Sequence, residues 1–275
     1  MSNIERKDLS GAYCDTDWLT LHHKVKKENR QQMIDDLNLS EDDLVLDSGC
    51  GPGLWTKMLL TKVFNVVGFD INQDALKVAQ KSLNFKDQDR VNFDFGNIGH
   101  LTYSNDTFDL TFDANTCMYL AEPLKGIKEL KRVTKKEGRV VIKCMDYSST
   151  VIWSINQKLW LKLMYELSIR NPEVTKNSYI DCVFASKVIS LMLEAGLKDM
   201  KVKSYDISFI APLTQDQKSY LQIIFNNYLN KSKEFLLVNE YEKLKLAFDP
   251  ESKSNILNNP DFYYRTVEYV ITGVK

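Results

Sequence analysis

Between Leu44 and Leu60 the chain reads LVLDSGCGPGLWTKMLL, with glycine at positions 49, 51 and 53. The apolar run before the glycines is of the kind a buried parallel strand shows. The pattern after them is helical. Glycine adopts positive φ without penalty and lets another molecule approach the backbone. The helix that follows offers N–H groups without intrahelical partners. In an open parallel sheet such a turn lies beyond the carboxyl ends of the strands, where ligands bind. The expectation is a ligand held against bare backbone.

The rest of the chain alternates in the same way. VVGFD (66–70), VNFDFGN (91–97), FDLTFDA (108–114) and RVVIKCMD (139–146) predict strands. DALKVAQKSLNF (74–85) predicts a helix, as does EPLKGIKELKRVTKKEG (122–138), which has Pro123 in its first turn and Gly138 past its end. Such alternation means βαβ units and a mainly parallel sheet, an α/β fold. A charged helix is expected over 19–37, on the surface. A long apolar-rich helix is expected over 150–170 and another over 185–197. A strand follows near 200–209, and one or two helices cover 214–248. The closing FYYRTVEYVITGVK alternates like a half-exposed strand.

The glycine spacing separates ligand classes. A dinucleotide loop has the form G-x-G-x-x-G, but the third position here is Leu54. A P-loop would end in Gly-Lys-Ser/Thr, and none occurs. Asp47 ends the strand, where its charge disfavours a phosphate and suits an ammonium group.

LDSGCGPG resembles motif I of the class I S-adenosylmethionine-dependent methyltransferases. VVGFDIN, GNI and the block FDLTFDANTCMYL to IKELKRVTKKEGRVVI continue the likeness, which is to the menaquinone-methylase-like small-molecule branch. The resemblance covers about 44–142. It implies a Rossmann-like seven-stranded, mostly parallel sheet of order 3-2-1-4-5-7-6 with helices on both faces, and S-adenosyl-L-methionine as cofactor. It implies cofactor contacts at Asp47, Gly49, Cys50, Gly51, Gly53, Asp70, Ile71, Asn97, Ile98, Asp113 and Ala114. In it Asp70 would clasp the ribose hydroxyls, Asn97 would meet the adenine amino group and Ile98 would pack on the ring. Asp can accept from two vicinal hydroxyls, and Asn can accept from an amine.

The expected domain plan is an N-terminal helical lid (1–43), a cofactor-binding core (44–146), a helical cap insertion (147–184), core again (185–210), a second cap insertion (211–260) and a final core strand (261–275). The cap is rich in Trp153, Trp160, Met164, Tyr165, Phe225 and Tyr228, which suits an apolar or aromatic small molecule, although ordinary helix core explains them too. Tyr13, Trp18, Tyr119, Tyr147 and Trp153 are the candidate substrate contacts. A hydroxyl or ammonium nucleophile must lose a proton, so His22 and His23 are candidate bases, with Asp113 as a third candidate catalytic group. Asp113 could instead cap its loop. Asp113 and Asp146 match acids of metal-dependent catechol-type relatives, but Tyr147 stands where those carry Asn, so no metal is expected. Lys24, Asp113 and Lys143 match part of the Lys-Asp-Lys-Glu set of RNA ribose methylases, but Lys143 lies inside a strand.

The formal net charge is −1, which gives no general pull toward phosphate backbones. Nucleic acid is therefore disfavoured as a partner, a small-molecule methyl acceptor is expected, and the oligomeric state is left open. Five cysteines, none in C-x-x-C spacing, fit a reducing compartment. The first residues lack the apolar core of a signal peptide, and no apolar run reaches the ~18 residues of a membrane span. A cytoplasmic protein with no membrane partner is expected. The alternatives are a methylase of nucleic acid or protein, or a protein that binds S-adenosylmethionine without catalysis.

Overall fold

A computed structural model of the chain describes residues 16–170 and 184–275. Seven strands form one sheet of order β3-β2-β1-β4-β5-β7-β6. They are β1 (Leu44–Ser48), β2 (Asn65–Asp70), β3 (Val91–Phe95), β4 (Phe108–Ala114), β5 (Thr134–Ile152), β6 (Lys198–Ile210) and β7 (Tyr263–Val274). The helices are α1 (Thr16–Val25), α2 (Lys27–Asp35), α3 (Leu54–Leu59), α4 (Gln73–Lys81), α5 (Pro123–Val133), α6 (Gln157–Arg170), α7 (Val188–Glu194), α8 (Gln215–Ser232) and α9 (Val238–Phe248). No helix among the described residues is long and apolar enough to cross a membrane.

Strand β1 pairs in parallel with β2 and β4, β2 with β3, and β4 with β5. Val45, Leu46, Leu110 and Phe112 are fully buried, as the continuous apolar runs require. Local chemistry sets the helix starts. The Asn72 side chain accepts from the Asp74 and Ala75 amides to cap α4. Thr214 and Gln217 form a capping box on α8. Arg90 donates to the carbonyls of Leu60, Val63 and Phe64, which closes the exit of α3.

The chain divides into two compact units. One holds Glu28–Met145, Phe184–Tyr205 and Glu268–Lys275. The other gathers the described residues of Met1–Lys27, Asp146–Val183 and Asp206–Val267. Strands β5, β6 and β7 each run from one unit into the other.

Several local expectations need correction. The helix over 19–37 is two helices. It is not a wet surface element, because Trp18 and His22 on α1, Lys26 between the two helices, and Arg30 and Ile34 on α2 are all buried. The charge on Lys26 and Arg30 disguises that burial. Arg30 lies over the Trp55 ring at 4.7 Å. The helix over 122–138 stops at Val133, and Gly138 belongs to β5. Residues 150–152 are strand, so α6 begins only at Gln157. The last strand is mostly buried, with Thr266 and Glu268 fully so.

Candidate active site

The glycine turn follows β1 directly. Gly49, Gly51 and Gly53 all have positive φ, at 71°, 52° and 76°. Only glycine takes this conformation without strain. At Gly49 the space is also closed to a side chain, since an added Cβ would lie 1.9 Å from Thr116 Oγ1. The Gly49 amide donates to the Phe69 carbonyl at 2.7 Å, which fastens the turn to the end of β2.

Three carboxyl groups come to this carboxyl edge, from the ends of β1, β2 and β4. Asp47 is buried. Its Oδ2 accepts from Thr56 Oγ1 at 2.6 Å, and its Oδ1 has no hydrogen-bond partner among the described residues. Burial raises its pKa to about 7, assisted by the charges of Asp70 and Asp113. Asp70 accepts from the Gly51 amide at 2.8 Å and the Asn72 amide at 2.7 Å. It therefore braces the glycine turn. Asp113 is fully buried. Its Oδ1 accepts from the amides of Thr116 and Cys117, both at 3.1 Å, and its Oδ2 lies 3.3 Å from Cys117 Sγ. Burial raises its pKa to about 6. Of its two predicted roles, loop capping is the one the geometry displays.

The remaining predicted cofactor residues flank the same edge. Cys50 is buried, and burial with the charges of Asp47 and Asp70 pushes its thiol up. Ile71 is 37% exposed beyond β2, where an apolar face can meet a flat ring. Asn97 is exposed, and its Oδ1 accepts from the Gly99 amide at 2.8 Å, so one of its lone pairs is committed to a turn. Ile98 is buried, and Ala114 is half-buried.

A nucleoside bearing an ammonium and a sulfonium fits these residues. The glycines leave backbone accessible, Asp47 retains an unpartnered buried oxygen, and the three carboxyl groups favour positive over negative charge. A pyrophosphate would be repelled by them.

Predicted substrate and base residues are scattered. Tyr13 lies outside the described residues. Tyr119 and Tyr147 are half-buried, and Trp153 is exposed and tilted on Tyr263 at 4.3 Å. Trp18, His22 and Tyr220 are stacked, with ring centroids 5.2 to 5.6 Å apart. His22 is buried among these rings, whereas His23 is half-buried. Three aromatics expected to mark the acceptor are core of the helical unit. Trp160 is buried against Tyr228 and donates to the Thr150 carbonyl at 3.1 Å, and Phe225 stacks on Phe248 at 4.2 Å. Lys24 is exposed and paired with Asp216 at 2.6 Å.

The structure adds residues that were not singled out. Thr56 holds Asp47, and Thr116 closes over Gly49. Asn115 and Glu268 group with Lys143, weighed above only for a ribose-methylase set, at the β4–β5–β7 side. A lone charge in each of two apolar strand patterns, VVIKCM and TVEYVI, was the available signal, because such charges must find each other.

A methyltransferase domain model matches residues 39–164. The demethylmenaquinone methyltransferase of Halalkalibacterium halodurans is 24% identical over 196 residues, covering 67% of this chain and 78% of that protein. A putative methyltransferase from Bacillus halodurans superposes with a TM-score of 0.57 at 14% identity, over 95% of this chain and 99% of that one. The phosphoethanolamine N-methyltransferase 2 of Haemonchus contortus, solved with S-adenosylhomocysteine and phosphomonomethylethanolamine, gives 0.57 at 14% identity, over 97% and 59%. At such identities the solved structures speak for the fold alone.

Proposed function

We propose that this chain, a class I S-adenosylmethionine-dependent methyltransferase, methylates an oxygen or nitrogen of a small, apolar or aromatic molecule. The observation that carries the reading is the glycine turn bracketed by Asp47 and Asp70, beside a chain with no net basic charge. The demethylmenaquinone methyltransferase likeness points the same way on acceptor size.

When bound, the cofactor supplies an activated methyl group open to in-line attack. The chain's own residues then have to orient and desolvate. In the proposed arrangement Asp70 takes the ribose hydroxyls while bracing Gly51. Asp47 meets the ammonium through Oδ1, Ile71 and Ile98 flank the adenine, and Asn97 meets its edge through the lone pair left by Gly99. Ala114 and Asp113 form the end of β4 next to the methionine portion.

The test is transfer of tritiated methyl from S-adenosylmethionine into a cell extract. Label is expected in solvent-extractable small molecules. Label confined to RNA or protein would support the macromolecular alternative. Tight cofactor binding with no transfer to any fraction would support a binding protein.

A further inference from the structure

We infer that Asn115 offers an N–H donor to an oxygen of the methyl acceptor, and that the buried Lys143–Glu268 pair is the positioning device that turns it that way. The inference rests on the proposed small-molecule reading and narrows it from oxygen or nitrogen to oxygen.

Lys143 and Glu268 are both fully buried, and Lys143 Nζ lies 2.8 Å from Glu268 Oε2. A charge pair of this kind is held at considerable desolvation cost and is weak evidence for stability alone. The ammonium also reaches Asn115 Oδ1 at 3.3 Å. Lysine can only donate, so this contact fixes which end of the Asn115 amide faces inward. The oxygen is turned to the cation. The two Nδ2 hydrogens are left without an acceptor among the described residues, on a side chain that is half-buried.

The backbone supports the same orientation. Asn115 has φ 65°, a left-handed conformation that asparagine tolerates. Its own amide donates to the Lys143 carbonyl at 2.8 Å. Its neighbour Thr116 closes over Gly49, and Thr116 Oγ1 lies 3.3 Å from the Ser48 carbonyl. Asn115 is thus one residue from the cofactor turn. A group presenting N–H donors suits a hydroxyl oxygen that gains negative charge as its proton leaves. It suits an amine less, because the N–H groups of an amine seek an acceptor.

The test compares a matched pair of probes, 1-naphthol and 1-naphthylamine, titrated into protein saturated with S-adenosylhomocysteine. Wild-type protein is expected to bind the naphthol about fivefold more tightly, the worth of one net hydrogen bond. Asn115→Asp replaces the donor by acceptors while keeping a residue that tolerates the left-handed backbone. It is expected to bring the two affinities within about twofold. The double substitution Lys143→Met with Glu268→Met removes both buried charges together and leaves neither alone. It is expected to remove the preference while S-adenosylhomocysteine affinity stays within about twofold. A change in overall stability alone would not alter the ratio of the two probes. Equal binding of both probes to wild-type protein, or a full preference surviving in Asn115→Asp, overturns the inference. A wild-type protein that fails to bind S-adenosylhomocysteine in a separate titration removes the cofactor assignment instead.

Discussion

The two halves of the sheet handle charge differently. Strands β1 to β4 have 5, 6, 5 and 7 residues, and their acids stand at the ends, where Asp47, Asp70 and Asp113 meet loop amides or hydroxyls. Strands β5, β6 and β7 have 19, 13 and 12 residues, and charge lies within them as the fully buried Lys143–Glu268 pair. A carboxyl at a strand end can leave an oxygen for a ligand, because the ligand completes its bonding. A charge within a strand has to be matched by the protein itself. The first half therefore leaves a buried carboxyl oxygen, Asp47 Oδ1, open at a strand end, whereas the second sets its buried ammonium and carboxylate against each other.

The sharpest way to break this contrast is to unpair the second half. Lys143→Met is expected to destabilise by about 3–5 kcal/mol in chemical denaturation, because it leaves Glu268 buried without its cation. The double Met variant should recover most of that loss, and failure to recover would mean the pair is not self-contained. In the first half, Gly49→Val adds a Cβ against Thr116 and a left-handed strain, together about 2–5 kcal/mol by the same measurement. Cofactor binding should be lost with it.

Asp70→Ala is milder for the fold but direct for the ligand. Cofactor affinity is expected to fall by about 1–3 kcal/mol in calorimetry, and an unchanged affinity would contradict the ribose assignment. The pH response of Asp47 and Asp113 comes next. Both pKa values are raised above the ordinary carboxyl value of 3.8, to about 7 and about 6. Their contribution to stability is therefore full below pH ~4 and is lost as pH rises through about 6 to 7. A cationic ligand favours the ionised forms, so cofactor affinity should rise across that window. Asp47→Asn should flatten the rise, and a flat wild-type profile would count against the charge match. The smallest effect is expected at Asn72→Ala, about 1 kcal/mol from the lost α4 cap, seen as a shift in denaturation midpoint.

What the sequence made legible follows the same divide. The first strands and the glycine turn between β1 and α3 were readable because each rests on a short contiguous signal, such as LVLDSGCGPG or VVGFD, whereas the sheet order followed from the family resemblance. Asp70 was placed correctly at the end of β2, yet its grip on the Gly51 amide joins residues 19 apart and has no local trace. His22, Lys26 and Arg30 belong to the charged helix expected on the surface over 19–37, because two of them are cations, yet all three are buried. Trp160, Phe225 and Tyr228 were candidates for the acceptor, but aromatic side chains serve a helical core as readily as a pocket. Asn115 gave no signal, since its importance comes from what Lys143 does to its amide.

The brace between Asp70 and the glycine turn bears on turnover. Under the proposed reading Asp70 and the turn it braces meet the nucleoside, the part that the sulfonium donor and the thioether left after transfer have in common. Only the charge match at Asp47 and Asp113 then separates the two molecules, so product inhibition is expected, and expected to ease as those acids ionise.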